Sequence, residues 1–206
     1  MPRATSRAVA APVLVLVATL AQLVLATTSD LPQFSGKAFG ARLVFYPLLM
    51  LLVPALWWLR TRGRAVVPWA GFTLVMVPFL LDVSGNTLDL YDRVVWWDDL
   101  LHLLNWFLLL TGLGLVVGAG ALRPRWARAA AVVGAGALLA LLWEIGEWWT
   151  FIRHGTEIET AYEDTLGDMV LGTSGSVLAL LVLNLTTSGR SRPDPSTPGP
   201  RGRGPR

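Results

Sequence analysis

Apolar residues fall in six long stretches that short polar connections separate. Each stretch approaches the roughly 20 residues that an α-helix needs to cross a bilayer. The stretches cover about 8–27, 40–59, 66–83, 96–118, 127–150 and 165–186. The pattern therefore predicts an all-α fold, a polytopic membrane helix bundle with six transmembrane helices.

Six spans leave little of the chain for a soluble domain, so we expect 1–187 to form one transmembrane domain. From 188 to 206, Ser, Pro, Gly and Arg predominate, which predicts a disordered Arg/Pro/Gly-rich cytoplasmic tail. The first stretch follows Arg3 and Arg7 and so has features of a signal peptide. Its apolar run exceeds the roughly 7–15 residues usual for such a peptide, which favours a retained helix over a cleaved one.

The basic residues predict the orientation. Thirteen of the seventeen Lys and Arg lie before the first stretch, in the second and fourth connections, or after the last stretch. The other four are Lys37, Arg42, Arg93 and Arg153. Because loops rich in Lys and Arg stay in the cytoplasm, both termini are predicted to be cytoplasmic and the protein to be a multi-pass protein of the inner or plasma membrane.

Composition supports a membrane protein and excludes several other classes. Of the 206 residues, 53% are hydrophobic and 15% are charged, against roughly 25% charged in soluble domains. We expect the lipid bilayer as a partner and no nucleic acid, because the net charge of +3 comes from Arg residues between apolar stretches. Cysteine is absent, so disulfides and thiolate metal sites are excluded. The oligomeric state is not indicated.

Ionisable residues interrupt the last three stretches, where a spanning helix is normally apolar. Each costs roughly 2.5–3.5 kcal/mol at the centre of a membrane helix. Such residues therefore face the bundle interior, a partner or a cation. They are Asp98, Asp99, His102, Glu144, Glu147 and Asp168.

The spacing of these residues predicts a common site. Asp98 and His102 are four residues apart and Glu144 and Glu147 three apart, so each pair shares one helix face. At a rise of 1.5 Å per residue, these groups and Asp168 lie within about 9 Å of the outer membrane boundary. We expect them to line an outward-facing polar site. Either Asp98 or Asp99 faces it, since the two point about 100° apart.

The chemistry of this site depends on how its charges are balanced. Several carboxylates in a medium of low dielectric constant do not all stay ionised without compensation, so either some are protonated or a cation lies among them. Arg93 and Arg153 would compensate only part of this charge. The metal ligands we expect are Asp98, His102, Glu144 and Asp168. Oxygen ligands with one imidazole suit a divalent metal ion such as Mg²⁺, Mn²⁺ or Zn²⁺, although no known ligand motif such as H-E-x-x-H is present.

The motifs resemble those of a known family. The segments WDDLLHLL at 97–104, EIGEWW at 144–149 and YEDTLGDM at 162–169 resemble the YjdF-like family of bacterial inner-membrane proteins, whose function is not established. A looser resemblance is to VanZ-like proteins, linked to teicoplanin resistance, which also place D-x-x-x-H before a Glu and a late Asp that precedes glycines. Neither resemblance implies a reaction.

Three functions fit these observations, and the sequence leaves open whether the protein is an enzyme. The first is a metal-dependent hydrolase or transferase acting on a lipid-linked or cell-envelope substrate, with Glu144 or Asp98 as the base and His102 as a ligand or proton shuttle. The second is a transporter that binds an ion or a proton. The third is a structural or regulatory membrane protein whose polar cluster locks the helices together.

Overall fold

The computed structural model describes residues 2–150, 152–154 and 161–189, with side chains described for 7–150, 152–153 and 161–186. These residues form seven α-helices and no strand. The predicted tail at 188–206 lies outside the described side chains. The helices are α1 Pro2–Thr28, α2 Phe39–Thr61, α3 Trp69–Thr87, α4 Leu90–Arg93, α5 Trp97–Val117, α6 Arg125–Thr150 and α7 Ala161–Gly189.

All of these helices except the short α4 are long and apolar enough to cross a membrane. This confirms the predicted bundle of six apolar helices. Three of the predicted stretches differ noticeably from the structure. The first was expected from 8, whereas α1 begins at Pro2. The third stretch was expected at 66–83 and forms Trp69–Thr87, and the sixth was expected at 165–186 and begins at Ala161.

Helix α3 extends beyond its predicted end because its polar residues bond within the helix. The Nδ2 of Asn86 donates to the carbonyl oxygen of Asp82 at 3.0 Å, and the Thr87 hydroxyl donates to the carbonyl oxygen of Val83 at 2.8 Å. A polar side chain that bonds to the preceding turn does not end a helix. Asp82 therefore lies more than one turn inside α3 instead of at its end.

Helix α5 is the central helix of the bundle. It packs against α3 on one side and α7 on the other, while α1 packs on α3, α2 on α1 and α6 on α7. One apolar cluster joins α5, α6 and α7 around Trp106 and Leu183, and a second joins α1, α2 and α3 around Leu23 and Val83. Trp143 of α6 packs against both clusters, so α6 reaches the first three helices as well.

Glycines allow the central helices to approach closely. A Cβ atom on Gly112 of α5 would lie 2.8 Å from the carbonyl oxygen of Gly71 in α3. A Cβ atom on Gly172 of α7 would lie 2.7 Å from the Trp106 indole of α5. Small residues at such crossings permit the backbone contacts that hold membrane helices together.

The two ends of the bundle differ in chemistry. Helices α2, α5 and α7 begin, and α1, α3 and α6 end, at what we call the polar end. The opposite, basic end carries Arg residues in the α2–α3 and α5–α6 connections. There the buried Arg128 donates to the carbonyl oxygen of Gly120 at 2.8 Å, close to the C-terminus of α5, where a cation is favourable.

The glycine contact generates a stability prediction. Gly112→Ala should destabilise the protein by about 1–3 kcal/mol, because the added methyl group overpacks a backbone contact. Gly134→Ala is the matched control, since a Cβ atom there meets nothing within 4 Å and alanine is the better helix former. Thermal unfolding in detergent, followed by tryptophan fluorescence, should give a lower midpoint for Gly112→Ala alone. Equal midpoints would show that α3 and α5 do not cross at Gly112.

Candidate functional site

His102 lies one turn into α5, at the polar end, and its side chain is 9% exposed. Asp98 precedes it by one turn and is half-exposed, with its Oδ1 3.7 Å from the Nε2 of His102. Asp99 is exposed. The sequence left open whether Asp98 or Asp99 faces the site. In the structure, Asp98 lies beside His102 and Asp99 points outward.

The packing of α5 on α7 places Asp168 beside His102. Trp106 of α5 contacts Gly172 of α7, and residues four apart lie above one another on a helix. His102 lies four residues before Trp106, and Asp168 lies four residues before Gly172. The two side chains consequently meet one turn nearer the polar end, with Oδ1 of Asp168 3.4 Å from Nδ1 of His102.

Glu144 reaches the same imidazole nitrogen from α6. Its Oε1 is 3.7 Å from Nδ1 of His102. The side chains of Glu144 and Asp168 are both 4% exposed. Carboxylates from two helices thus converge on one nitrogen of a buried histidine that a third helix supplies.

Two atoms of this group lack hydrogen bonds among the described residues: Nδ1 of His102 and Oε1 of Glu144. Their separation of 3.7 Å exceeds the usual N–H···O range of about 2.7–3.2 Å. A buried polar atom without a partner is costly. This arrangement therefore favours a further group between the two side chains.

The donor atoms form two overlapping groups that share His102. Asp98, His102 and Asp168 each offer an atom within 4.8 Å of the others, and so do His102, Glu144 and Glu147. Glu147 is half-buried, one turn after Glu144. Hence the structure brings the five predicted site residues to one place, around His102.

A second polar group, which the sequence did not predict, is centred on Asp82 of α3. Its Oδ2 accepts hydrogen bonds from Arg42 at 2.8 Å and from the Tyr46 hydroxyl at 2.7 Å. Its Oδ1 accepts one from the Tyr91 hydroxyl at 2.9 Å. Burial, and then the Asp82 carboxylate, raise the pKa of Tyr91 well above its usual range, so this hydroxyl remains a donor.

The Asp82 group was missed because Asp82 precedes Ser84, Asn86 and Thr87, a run that resembles a polar helix end. An available signal was Arg42, a basic residue within the first turn of the second apolar stretch, since a cation at such a position indicates an acid partner.

The described basic residues at the polar end have contacts other than with His102, although the Arg42 charge also acts on Glu147. Besides the Arg42–Asp82 pair, Lys37 bonds to Asp92 at 3.0 Å and Arg93 to Asp89 at 2.7 Å. Arg153, expected together with Arg93 to offset part of the site's charge, stacks on the Trp149 ring at 3.6 Å. Within the described part of the chain, the ion-pair contacts of Glu144 and Asp168 are with His102.

A sequence comparison identifies the family. The sequence model of a family described as predicted membrane protein, DUF2238, matches residues 9–189. The chain belongs to this family. The YjdF-like family is the DUF2238 family, which confirms the resemblance found in the sequence. The match includes every residue of the His102 and Asp82 groups. Neither the curated proteins nor the solved structures contain a match to this DUF2238 protein.

The Asp82 group generates a prediction for stability. Asp82→Asn should destabilise the protein by about 3–5 kcal/mol, because it removes the ion-pair partner 2.8 Å from the buried Arg42 guanidinium. Asp92→Asn, which removes the more exposed pair with Lys37, should cost about 1 kcal/mol or less. Thermal unfolding in detergent compares the two variants. A midpoint for Asp82→Asn as high as that for Asp92→Asn would mean that the Asp82 charge does not hold α2 and α3 together.

Proposed function

We propose that this membrane protein binds a divalent cation at His102 between carboxylates of α6 and α7, and that the cation serves a hydrolase or transferase reaction on a lipid-linked or cell-envelope substrate. The observation that carries the proposal is the pair of buried atoms without hydrogen-bond partners, Nδ1 of His102 and Oε1 of Glu144. A cation between them would satisfy both.

The distances fit a shared cation better than direct hydrogen bonds. Zinc lies about 2.0–2.2 Å from nitrogen and carboxylate ligands, so two such ligands in a tetrahedral site are about 3.3–3.5 Å apart. The separations from Nδ1 of His102 are 3.4 Å to Asp168 and 3.7 Å to Glu144. Asp98 lies 3.7 Å from the opposite ring nitrogen, beyond hydrogen-bond range. It would orient a metal-bound histidine after a small movement of its side chain toward the ring.

The charge of the site supports the same conclusion. Lys37 and Arg93 pair with other acids, and Arg42, which pairs with Asp82, acts on Glu147 of the site through its charge. A divalent cation would compensate Glu144 and Asp168, which are nearly excluded from water. A purely structural cluster that locks helices would satisfy its own hydrogen bonds. Nδ1 of His102 has no hydrogen bond among the described residues, although two carboxylates from two other helices lie near it, which favours the cation over that alternative.

The cation would supply the reactivity. A divalent ion polarises a carbonyl or phosphoryl oxygen and lowers the pKa of a bound water, which produces a nucleophile at neutral pH. Glu147 is half-buried and within 4.8 Å of the His102 and Glu144 donor atoms, so it is placed to accept the proton of that water. Glu144 is the carboxylate ligand beside His102 in this scheme. Asp168 belongs to the other donor group, with Asp98 and His102, and would become a further ligand by turning its side chain toward Glu144. Asp98 is a positioning residue.

We also propose that the polar end faces away from the cytoplasm in the inner or plasma membrane. The support is the distribution of charge. Lys37, Arg42 and Arg93 at the polar end are neutralised by acids, whereas the basic end carries the Arg-rich connections. The positive-inside rule places such connections in the cytoplasm.

Cation binding is the first test of the proposal. Titration of purified protein with Mn²⁺, followed by the electron paramagnetic resonance signal of free Mn²⁺, should reveal one tight site per chain. Asp98→Asn should weaken it by about 10–100-fold, as for loss of an orienting partner. His102→Ala and Glu144→Gln should weaken it further, because each removes a ligand.

Asp99→Asn is the matched control, since it changes the neighbouring exposed acid of the same helix. It should weaken Mn²⁺ binding far less than His102→Ala, because Asp99 acts on the site through its charge and is not in either donor group. Equal Mn²⁺ affinity for His102→Ala and Asp99→Asn, in variants that elute as monodisperse protein, would rule out His102 as a ligand.

Labelling of single cysteines tests the orientation. The chain has no cysteine, so Ser35→Cys at the polar end and Arg64→Cys at the basic end each create one thiol at an exposed position. A membrane-impermeant maleimide should label Ser35→Cys in intact cells and Arg64→Cys only after the membrane is opened. The reverse result would place the His102 site on the cytoplasmic side.

A further inference from the structure

A small cavity opens beside Glu144 on the flank of the bundle. It has a volume of about 210 Å³ and lies between α6 and α7, lined by Leu141, Glu144, Ile145, Trp148 and Thr165. Glu144 is buried and its Oε1 lacks a partner among the described residues. One wall of the cavity is thus formed by an acid of the proposed cation site.

The mouth of the cavity is on a surface that faces lipid. Leu141, Ile145 and Trp148 are 39%, 52% and 48% exposed, and all three lie within a helix that is long and apolar enough to span the membrane. Large apolar side chains exposed on such a helix contact acyl chains. A molecule that enters here comes from the bilayer and passes between α6 and α7.

The size of the cavity limits what enters it. Pockets that enclose a whole small molecule measure roughly 300–1,000 Å³, and this one is smaller. It accommodates part of a ligand whose remainder stays outside, among the acyl chains. A ligand with a polar part inside the cavity and an apolar part in the bilayer is an amphiphile.

We propose that a lipid phosphate ester enters sideways between α6 and α7, so that its headgroup phosphate meets the cation while its acyl chains stay in the membrane. This inference rests on the proposed function, because the carboxylates alone would repel an anion. With a divalent cation at His102, a phosphate oxygen is a suitable further ligand, since hard cations prefer oxygen. The substrate class of the site is then a phospholipid or another lipid-linked phosphate.

Photochemical crosslinking tests the path. The full-length protein is placed in phosphatidylcholine nanodiscs that contain a phosphatidic acid with a diazirine close to its headgroup, and Mn²⁺ is added. After illumination, mass spectrometry should locate the crosslinks on α6 and α7 around the cavity. We expect them to depend on Mn²⁺.

Two neighbouring leucines provide the matched variants. Leu141 lines the cavity, whereas Leu142 is 53% exposed and does not. Leu141→Trp should fill the mouth and lower crosslinking by about tenfold, which corresponds to roughly 1.4 kcal/mol of binding. Leu142→Trp should crosslink like the unmodified protein. Ile145→Trp blocks the same mouth from the next turn and replaces Leu141→Trp if that variant does not fold.

Mn²⁺ binding is measured in the same samples, which separates the two proposals. Unchanged Mn²⁺ binding with crosslinks lost only in the mouth variants supports sideways entry. Unchanged Mn²⁺ binding with equal crosslinking in Leu141→Trp, Ile145→Trp and Leu142→Trp overturns it and leaves the cation site intact. Absence of Mn²⁺ binding in the unmodified protein overturns the proposed function itself, and the inference with it.

Discussion

The close contact of α5 with α7 determines the geometry of the candidate site. Trp106 packs onto Gly172, and a Cβ atom at Gly175 would collide with the backbone oxygen of Leu103. A residue larger than glycine at Gly172 or Gly175 would push α5 and α7 apart. Their close contact places His102 opposite Asp168, one turn nearer the polar end. Small residues in membrane helices usually serve helix association alone. Here the same contacts also fix the separation of two donor atoms.

The bundle balances buried charge in two different ways. Asp82 obtains its counter-charge from Arg42 and its remaining hydrogen bonds from two tyrosines, so that group is complete within the protein. His102 and Glu144 lie at the same end of the bundle, yet each keeps a buried atom without a partner. A structural role accounts for the Asp82 group. The proposed cation would supply the partner that these two atoms lack among the described residues.

Much of the fold follows from the sequence, because hydropathy and length largely determine which segments can cross a bilayer. Helical spacing also sufficed to bring Asp98 and His102 onto one face. The partner of a polar residue was harder to predict, since it depends on which helices pack together. Asp82 was missed for that reason, and the choice between Asp98 and Asp99 required the rotation of α5 about its axis, which only packing against α3 and α7 determines.

X-ray absorption spectroscopy of the zinc-loaded protein reports the ligands of a bound ion and so tests the proposed cation site. We expect nitrogen and oxygen ligands at about 2.0–2.2 Å, with the scattering pattern of one imidazole that disappears in His102→Ala. Two results would contradict this expectation: a shell of oxygen alone, or an imidazole signal that persists in His102→Ala.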